Sequence, residues 1–389
     1  MLYFCGINLK AMDMIRRMMQ KQIESRMQAQ KVMLLFGARR VGKTFLLKQI
    51  VENFSGKSLM LNGEDADSIA LLEPVSIANY RHVFQDVKLL AIDEAQHIPD
   101  IGRKLKLIVD EVPDIRVIAS GSSSFDLKNQ AGEPLVGRST QFMLLPFSQQ
   151  EISMVESPIE TKRNLEIRLL YGSYPEVVAL ESFEQKKEYL SDIVESYLLK
   201  DILAVDGIKN SAKIRDLLRL VAYQMGDELS CEEVGKQLGI SKNTVERYLD
   251  LLQKVFVLYR LGGFSKNLRK EVTKSSKWYF TDNGVRNAVI RNFEPLSLRT
   301  DADRGALWEN YIITERMKRN QNERLGLEFH FWRTYDKQEI DLIEIGSGMM
   351  NAFEMKSGKK SPSAPKAFAT AYPEAQFTVV NMNNYSAYI

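Results

Sequence analysis

The stretch Gly37-Ala-Arg-Arg-Val-Gly-Lys-Thr44 sets two glycines, a lysine and a hydroxyl residue at the spacing that cradles phosphate groups. Gly37 and Gly42 let the backbone turn tightly. The N–H groups of Ala38, Arg39, Arg40 and Val41 and the start of the next helix can then face an anion. Lys43 can reach β- and γ-phosphoryl oxygens, and the Thr44 hydroxyl can ligate Mg²⁺. Arg39 and Arg40 either touch phosphate or face a neighbouring subunit.

A second cluster supports the first. The segment 86–93 reads Asp-Val-Lys-Leu-Leu-Ala-Ile-Asp, an apolar run closed by an acid, and Glu94-Ala-Gln-His97 follows. Asp93 is the expected partner of Mg²⁺, directly or through water, and Glu94 the base that polarises the attacking water. His97 is read as a packing or hydrogen-bonding residue, not a metal ligand. In Ser120-Gly-Ser-Ser-Ser124, Ser120 and Ser122 are candidates to hydrogen-bond the lytic water, against a plain turn role. Arg138, after the flexible Gly137, suits a finger on the transferring phosphoryl group, in cis or from a neighbouring subunit; the alternative is a structural ion pair.

These residues need an open α/β sheet to hold them. The apolar run 31–36 reads as a buried parallel strand, residues 45–51 as a helix, and 115–119 as another strand. Acids and hydroxyls at the C-terminal ends of such strands stand where ligands collect. Residues 11–30 read as a Met-rich basic helix that packs on this core; lying on a membrane or a partner is the alternative.

The whole chain fits that picture. Its 389 residues suffice for two or three domains, and 44% apolar with 26% charged residues is ordinary for a soluble protein. With 53 Lys and Arg against 50 Asp and Glu, the charge balance does not point to a nucleic-acid-coating protein, though a local basic face is allowed. Cys5 and Cys231 are too far apart in sequence for a metal-spaced cluster, which points to a reducing, cytoplasmic setting. No uncharged apolar run is long enough for a membrane span, and MLYFCGINLK lacks the order and length of a signal peptide.

The P-loop, Ala-Ile-Asp-Glu-Ala-Gln96, Ser-Gly-Ser-Ser123, Leu-Val-Gly-Arg138 and Leu-Pro-Phe-Ser148 together resemble a large prokaryotic family of AAA-like ATPases. In that family the ATPase precedes a C-terminal region known only as a domain of unknown function. The resemblance continues through Tyr171-Gly-Ser-Tyr-Pro-Glu176, Lys-Trp-Tyr-Phe-Thr-Asp282 and the last hundred residues. It implies ATP binding and hydrolysis. More distantly, the chain resembles regulatory ATPases with a signalling or defence role.

Beyond the ATPase core at 31–155, residues 156–210 read as a helical lid or connector. Residues 211–283 read as a winged helix-turn-helix, with helices over 213–225, 231–238 and 242–254 and a hairpin from 255–260 and 277–280 around the basic loop 266–270. Lys242, Asn243, Thr244 and Arg247 stand near the start of the third helix and can meet DNA; a protein partner is the alternative. Residues 284–389 look like the PD-(D/E)xK nuclease fold. Asp341 lies thirteen residues before Glu354-Met-Lys356, and adjacent strands would join Asp341 and Glu354 as metal ligands. Lys356 would orient water, and Glu309, on a preceding helix, would complete the acidic cluster.

The expectation is thus a multidomain α/β protein: an AAA-like parallel sheet, a connector with a winged helix, and a restriction-endonuclease-like C-terminal domain. ATP and Mg²⁺ are the expected cofactors. DNA, a second copy of the chain or a protein partner are the candidate partners. The rival function is an ATP-dependent protein switch without nucleic acid. A kinase-type transfer is weaker, because Asp93-Glu94 suits water activation.

Overall fold

The computed structural model describes residues 15–121, 135–198, 211–265, 276–358 and 361–389. They fall into two compact units. One is Arg16–Leu145 with Lys254–Phe256; the other is Ile15 with Pro146–Gln253 and Val257–Ile389.

In the first unit β1 (Val32–Phe36), β2 (Ser58–Asn62), β3 (Leu89–Asp93), β4 (Arg116–Gly121) and β5 (Ser139–Met143) form one sheet in the order β2-β3-β4-β1-β5. Every pairing is parallel. The apolar runs Val-Met-Leu-Leu-Phe and Leu-Leu-Ala-Ile-Asp are buried throughout β1 and β3, as a doubly covered parallel sheet requires. The helices Lys43–Asn53 and Ile101–Glu111 pack against it. Because all five strands run the same way, their C-terminal ends share one edge. β4 lies between β1 and β3, so its last residues sit between the loop after β1 and the acid that ends β3. The helix expected over 11–30 spans Met19–Arg26, and residues 1–14 lie outside the described chain.

In the second unit the short helix Gln149–Ile152 is followed by the helices Pro158–Tyr171, Pro175–Ala179 and Phe183–Asp192, as expected for 156–210. Then come the helices Ser211–Tyr223, Cys231–Leu238 and Lys242–Lys254. Gly239, at φ 65°, ends the second of these, and a Cβ on Gly235 would lie 2.8 Å from the Ile240 carbonyl oxygen. That close backbone approach is what the turn at 239–241 needs.

Strands β6 (Glu228–Leu229), β7 (Leu258–Gly263), β8 (Ser276–Phe280), β9 (Glu328–Arg333), β10 (Glu339–Gly346), β11 (Met349–Lys356) and β12 (Gln376–Asn381) make one sheet, ordered β12-β11-β10-β9-β7-β8-β6. The sequence reading draws a line at 283/284; the sheet runs across it. β7 pairs antiparallel with β8, and Gly262 and Gly263 pair in parallel with His330 and Phe331 of β9. Alternation along a strand marks its two faces but does not name its neighbour, which is why the line falls inside a sheet. Trp332, Ile340, Ile343, Ala352, Phe368 and Tyr372 form a buried cluster on this sheet. The basic loop 266–270 lies outside the described residues.

Two motifs of the sequence meet in this unit. The Asp282 carboxylate accepts N–H bonds from Ser173 (2.7 Å), Gly284 (2.8 Å) and Val285 (3.2 Å). A Cβ on Gly172 would lie 1.9 Å from Asp282 Oδ1, and one on Gly284 2.0 Å from the Tyr171 carbonyl oxygen. Residues 171–173 and 282–285 are therefore two sides of one latch. Among the described residues no helix is long and apolar enough to cross a membrane.

Candidate active site

The loop after β1 has the backbone that its glycines permit. Gly42 takes φ 96° and Arg40 φ 63°. Leu144 donates its N–H to the Phe36 carbonyl at 2.7 Å, and a Cβ on Gly37 would lie 2.4 Å from the Leu144 oxygen. Gly37 thus cannot carry a side chain without moving the strand exit. Lys43 opens the helix Lys43–Asn53, is buried, and donates from Nζ to the carbonyls of Gly37 (2.9 Å) and Ala38 (3.0 Å). Its ammonium is already inside the loop that would wrap phosphates. Two backbone carbonyls hold it there.

Across β4, the Thr44 hydroxyl donates to Asp93 Oδ2 at 2.6 Å. Ser120, at the end of β4, donates to the other oxygen of Asp93 and accepts the Glu94 N–H at 3.2 Å. Thr44, Asp93, Ser120 and Glu94 are one chain of hydrogen bonds. A hydroxyl and a carboxylate, both hard oxygen donors of the kind Mg²⁺ takes, are side by side here, joined by their own hydrogen bond. Glu94 adopts φ 47°, and its Oε2 accepts from Gln96 Nε2 at 2.6 Å. Gly63 follows β2, donates to the Asp93 carbonyl at 2.8 Å, and would put a Cβ 2.2 Å from the Glu94 oxygen. The sequence reading missed Gly63; a lone glycine after a strand gives no sign of which loop presses on it. His97 is half-exposed, with Nε2 3.7 Å from Glu64.

Arg138 stands elsewhere. The Val32 N–H donates to its carbonyl at 2.8 Å, so Arg138 is at the entry of β1, whereas the P-loop leaves from Phe36, which pairs with Met143. The two ends are about 13 Å apart along the strand. Arg138 pairs with Asp110 at 2.7 Å. Parallel register therefore takes away the cis finger role, which sequence order alone could not exclude; an ion pair, or a role toward another subunit, remains. Ser122 lies outside the described residues.

In the second unit β8, β10, β11 and the helix Asp301–Glu323 gather a different set. Asp341 sits at a bulge: Ile340 faces Trp332 and Ile343 faces His330, so two residues of β10 oppose one of β9. Bulges re-aim side chains in this way. The Asp341 carboxylate accepts the Met355 N–H at 2.7 Å, Glu354 accepts from Lys356 Nζ at 2.5 Å, and Glu309 accepts from the Tyr279 hydroxyl at 2.6 Å. Lys277, which the sequence reading did not single out, is buried with Nζ ion-paired to Glu339 and 3.5 Å from Glu309.

Burial pushes the Glu309 carboxyl up to about 7, against the pull of Lys277 and with a further push from Asp341. Asp341 and Glu354 are also raised, first by burial. Burial works against the Lys277 charge, but Glu309, Glu339 and Asp341 hold that ammonium above its usual range. A cavity of about 690 Å³ opens on Lys277, Glu309, Glu339, Asp341 and Lys356. Among the described residues no three His, Cys, Asp or Glu side chains gather so as to hold a metal. What stands against a divalent ion at the expected ligands Glu309, Asp341 and Glu354 is the Lys277 ammonium already among them, 3.5 Å from Glu309, and not the single hydrogen bond that each carboxylate accepts.

Lys242, Asn243, Thr244 and Arg247 open the helix Lys242–Lys254. Thr244 is tied to Ser241, its N–H donating to the Ser241 hydroxyl at 3.2 Å, and Lys242 Nζ lies 3.6 Å from Glu246.

Residues 29–153 match the family described as an AAA domain. They are an ATPase domain. Residues 162–296 and 304–388 match two families described only as domains of unknown function, DUF8612 and DUF4143. The first of these two spans residues of both the connector and the three-helix segment. The uncharacterized protein Rv2008c of Mycobacterium tuberculosis is 26% identical over 348 residues, covering 89% of this chain and 74% of its own. The uncharacterized protein MJ1544 of Methanocaldococcus jannaschii is 23% identical, covering 94% and 84%. A RuvB mutant of Thermotoga maritima has 16% identity over 64% of this chain and 88% of that one, with a TM-score of 0.31. Pif1 helicase from Bacteroides has 19% identity over 47% and 50%, with a TM-score of 0.25. Likeness this slight has no bearing on the function of the AAA domain.

Proposed function

We propose that the AAA domain binds ATP with Mg²⁺, hydrolyses it, and uses the cycle to change how the downstream region packs, with nucleic acid as the object. The observation that carries this is the Thr44–Asp93 hydrogen bond beside Glu94, with the Lys43 ammonium inside the same loop. Bound Mg²⁺ would neutralise charge developing on the phosphoryl oxygens. Around it, Lys43 would leave the carbonyls of Gly37 and Ala38 for the phosphates, and Thr44 and Asp93 would turn their oxygens to the ion. Ser120 would hold Asp93 and the Glu94 backbone in register, and Glu94 would take the proton of the attacking water. Release of Gln96 would free the Glu94 carboxylate for that step.

The downstream reading rests on separate supports. The helices Cys231–Leu238 and Lys242–Lys254, joined by the tight turn at Gly239, support a helix-turn-helix, and the β7–β8 hairpin supports its wing. Lys242, Asn243, Thr244 and Arg247 would then meet DNA. The order helix, β9, β10, β11, with Asp341 beside Glu354 and Lys356, supports a nuclease-like fold for the C-terminal strands. A reducing cytoplasmic setting and assembly with further copies of the chain belong to the same proposal.

The test is phosphate release by wild type and by K242A/R247A, with and without duplex DNA, over a range of salt. DNA-stimulated turnover that fades as salt rises, and that the double variant loses, supports the reading. Turnover indifferent to DNA at low salt would leave the alternative, an ATP-dependent switch for a protein partner.

A further inference from the structure

The nuclease-like carboxylates lie around a cation, and that cation is a side chain. Lys277, on β8, is deeply buried, at 2% exposure. Its Nζ is ion-paired with Glu339 and 3.5 Å from Glu309, while Tyr279, two residues on and on the same strand face, holds Glu309 by its hydroxyl at 2.6 Å. Its Nζ also lies over the Phe331 ring of β9, 5.4 Å from the ring centroid. Asp341 also accepts the Met355 N–H, and Glu354 accepts from Lys356, a second ammonium beside the carboxylates.

A divalent ion bound by Asp341, Glu354 and Glu309 would meet an ammonium that shares Glu309. Two cations a few ångströms apart repel strongly where water is excluded. Removing Lys277 outward is costly too, since it would strip Glu309 and Glu339 of their buried partner. We infer that Lys277 is the resident cation of this cluster and keeps divalent metal out of it, so that the C-terminal domain works without metal. This rests on the nuclease-like reading of β10 and β11, since only there would the carboxylates be expected to take a metal.

The test is Mn²⁺ binding to the nucleotide-free full chain, followed by the paramagnetic signal of free Mn²⁺. Wild type, D341N, K277M and K277M/D341N are compared, with melting curves to show that each is folded and K277Q in reserve should K277M not fold. Wild type is expected to bind Mn²⁺ no more tightly than D341N. Freeing the carboxylates in K277M should raise affinity about ten-fold or more, and D341N should cancel the gain. Mn²⁺ binding by wild type that D341N abolishes would overturn the role of Lys277 and leave the nuclease-like reading standing. No binding by any of the proteins, K277M and K277Q included, would overturn both.

Discussion

The Thr44 hydroxyl donates to Asp93 Oδ2 at 2.6 Å, joining residues 49 apart in the chain across an intervening strand. Ser120, at the end of that strand, holds the other Asp93 oxygen. T44A and D93N each remove one end of the first bond and an oxygen donor for the ion. Each should weaken Mg²⁺-dependent ATP binding. S120A leaves both donors in place but frees Asp93 and the Glu94 N–H. It is expected to keep ATP affinity and to slow phosphate release up to roughly ten-fold, the scale of one lost hydrogen bond of about 1 kcal/mol. Fluorescent-nucleotide titration beside a turnover assay separates the two effects.

Gly63 yields a second expectation. A Cβ there would stand 2.2 Å from the Glu94 carbonyl oxygen. G63A must push the Glu94 backbone away while leaving Gly37–Thr44 untouched. Stability should fall by about 1–3 kcal/mol, as for other overpacked sites, and kcat should fall while ATP still binds. Unchanged kcat in a folded G63A would mean that the exact place of Glu94 is immaterial.

Arg138 is tied to Asp110 at 2.7 Å and sits at the strand end away from its own P-loop. The pair is partly exposed, so R138A should cost about 1 kcal/mol of stability or less. If Arg138 serves a neighbouring subunit, turnover per chain should fall on dilution, and mixing K43A with R138A chains should recover activity that neither has alone. A purely structural pair predicts wild-type turnover in R138A at every concentration.

Lys186 sets a pH dependence apart from the ATP site. It is buried, donates to the Val177 and Leu180 carbonyls, and burial pushes its pKa down to about 8. In the unfolded chain the group keeps its proton up to its ordinary value of 10.5. Between those limits the unfolded state binds more protons, so stability rises with pH, by on the order of 1–3 kcal/mol across the window. Below about 8 both states are protonated and the gain is absent. Denaturant unfolding at several pH values should show wild type gaining on K186M above pH 8. Parallel curves would mean that Lys186 titrates normally.

Much of the ATP site could be read from the sequence because its parts are local. Strand, glycine loop and helix are contiguous at Gly37–Thr44, and Asp93-Glu94 ends an apolar run. What joins the parts could not be read. Only the order β3-β4-β1 puts Ser120 between Thr44 and Asp93, and only parallel register puts Arg138 at the wrong end for its own nucleotide. The sequence reading set Asp341 and Glu354 on adjacent strands, and β10 does pair with β11. Yet Lys277 entered their site unannounced, because it comes from β8, reached through the pairing of β7 with both β8 and β9. The latch at Asp282 is similar: both halves stood out as motifs, but neither says that it closes on the other.

The account turns on Glu94 as the base of a hydrolytic site and Lys43 as its phosphate ligand. Steady-state phosphate release with Mg²⁺ and ATP, alongside equilibrium ATP binding, for wild type, E94Q and K43A tests it directly. E94Q should bind ATP as wild type does and release phosphate roughly 100-fold more slowly, while K43A should lose binding and turnover together. Wild-type turnover in E94Q, or no phosphate release by wild type that binds ATP, would contradict the account.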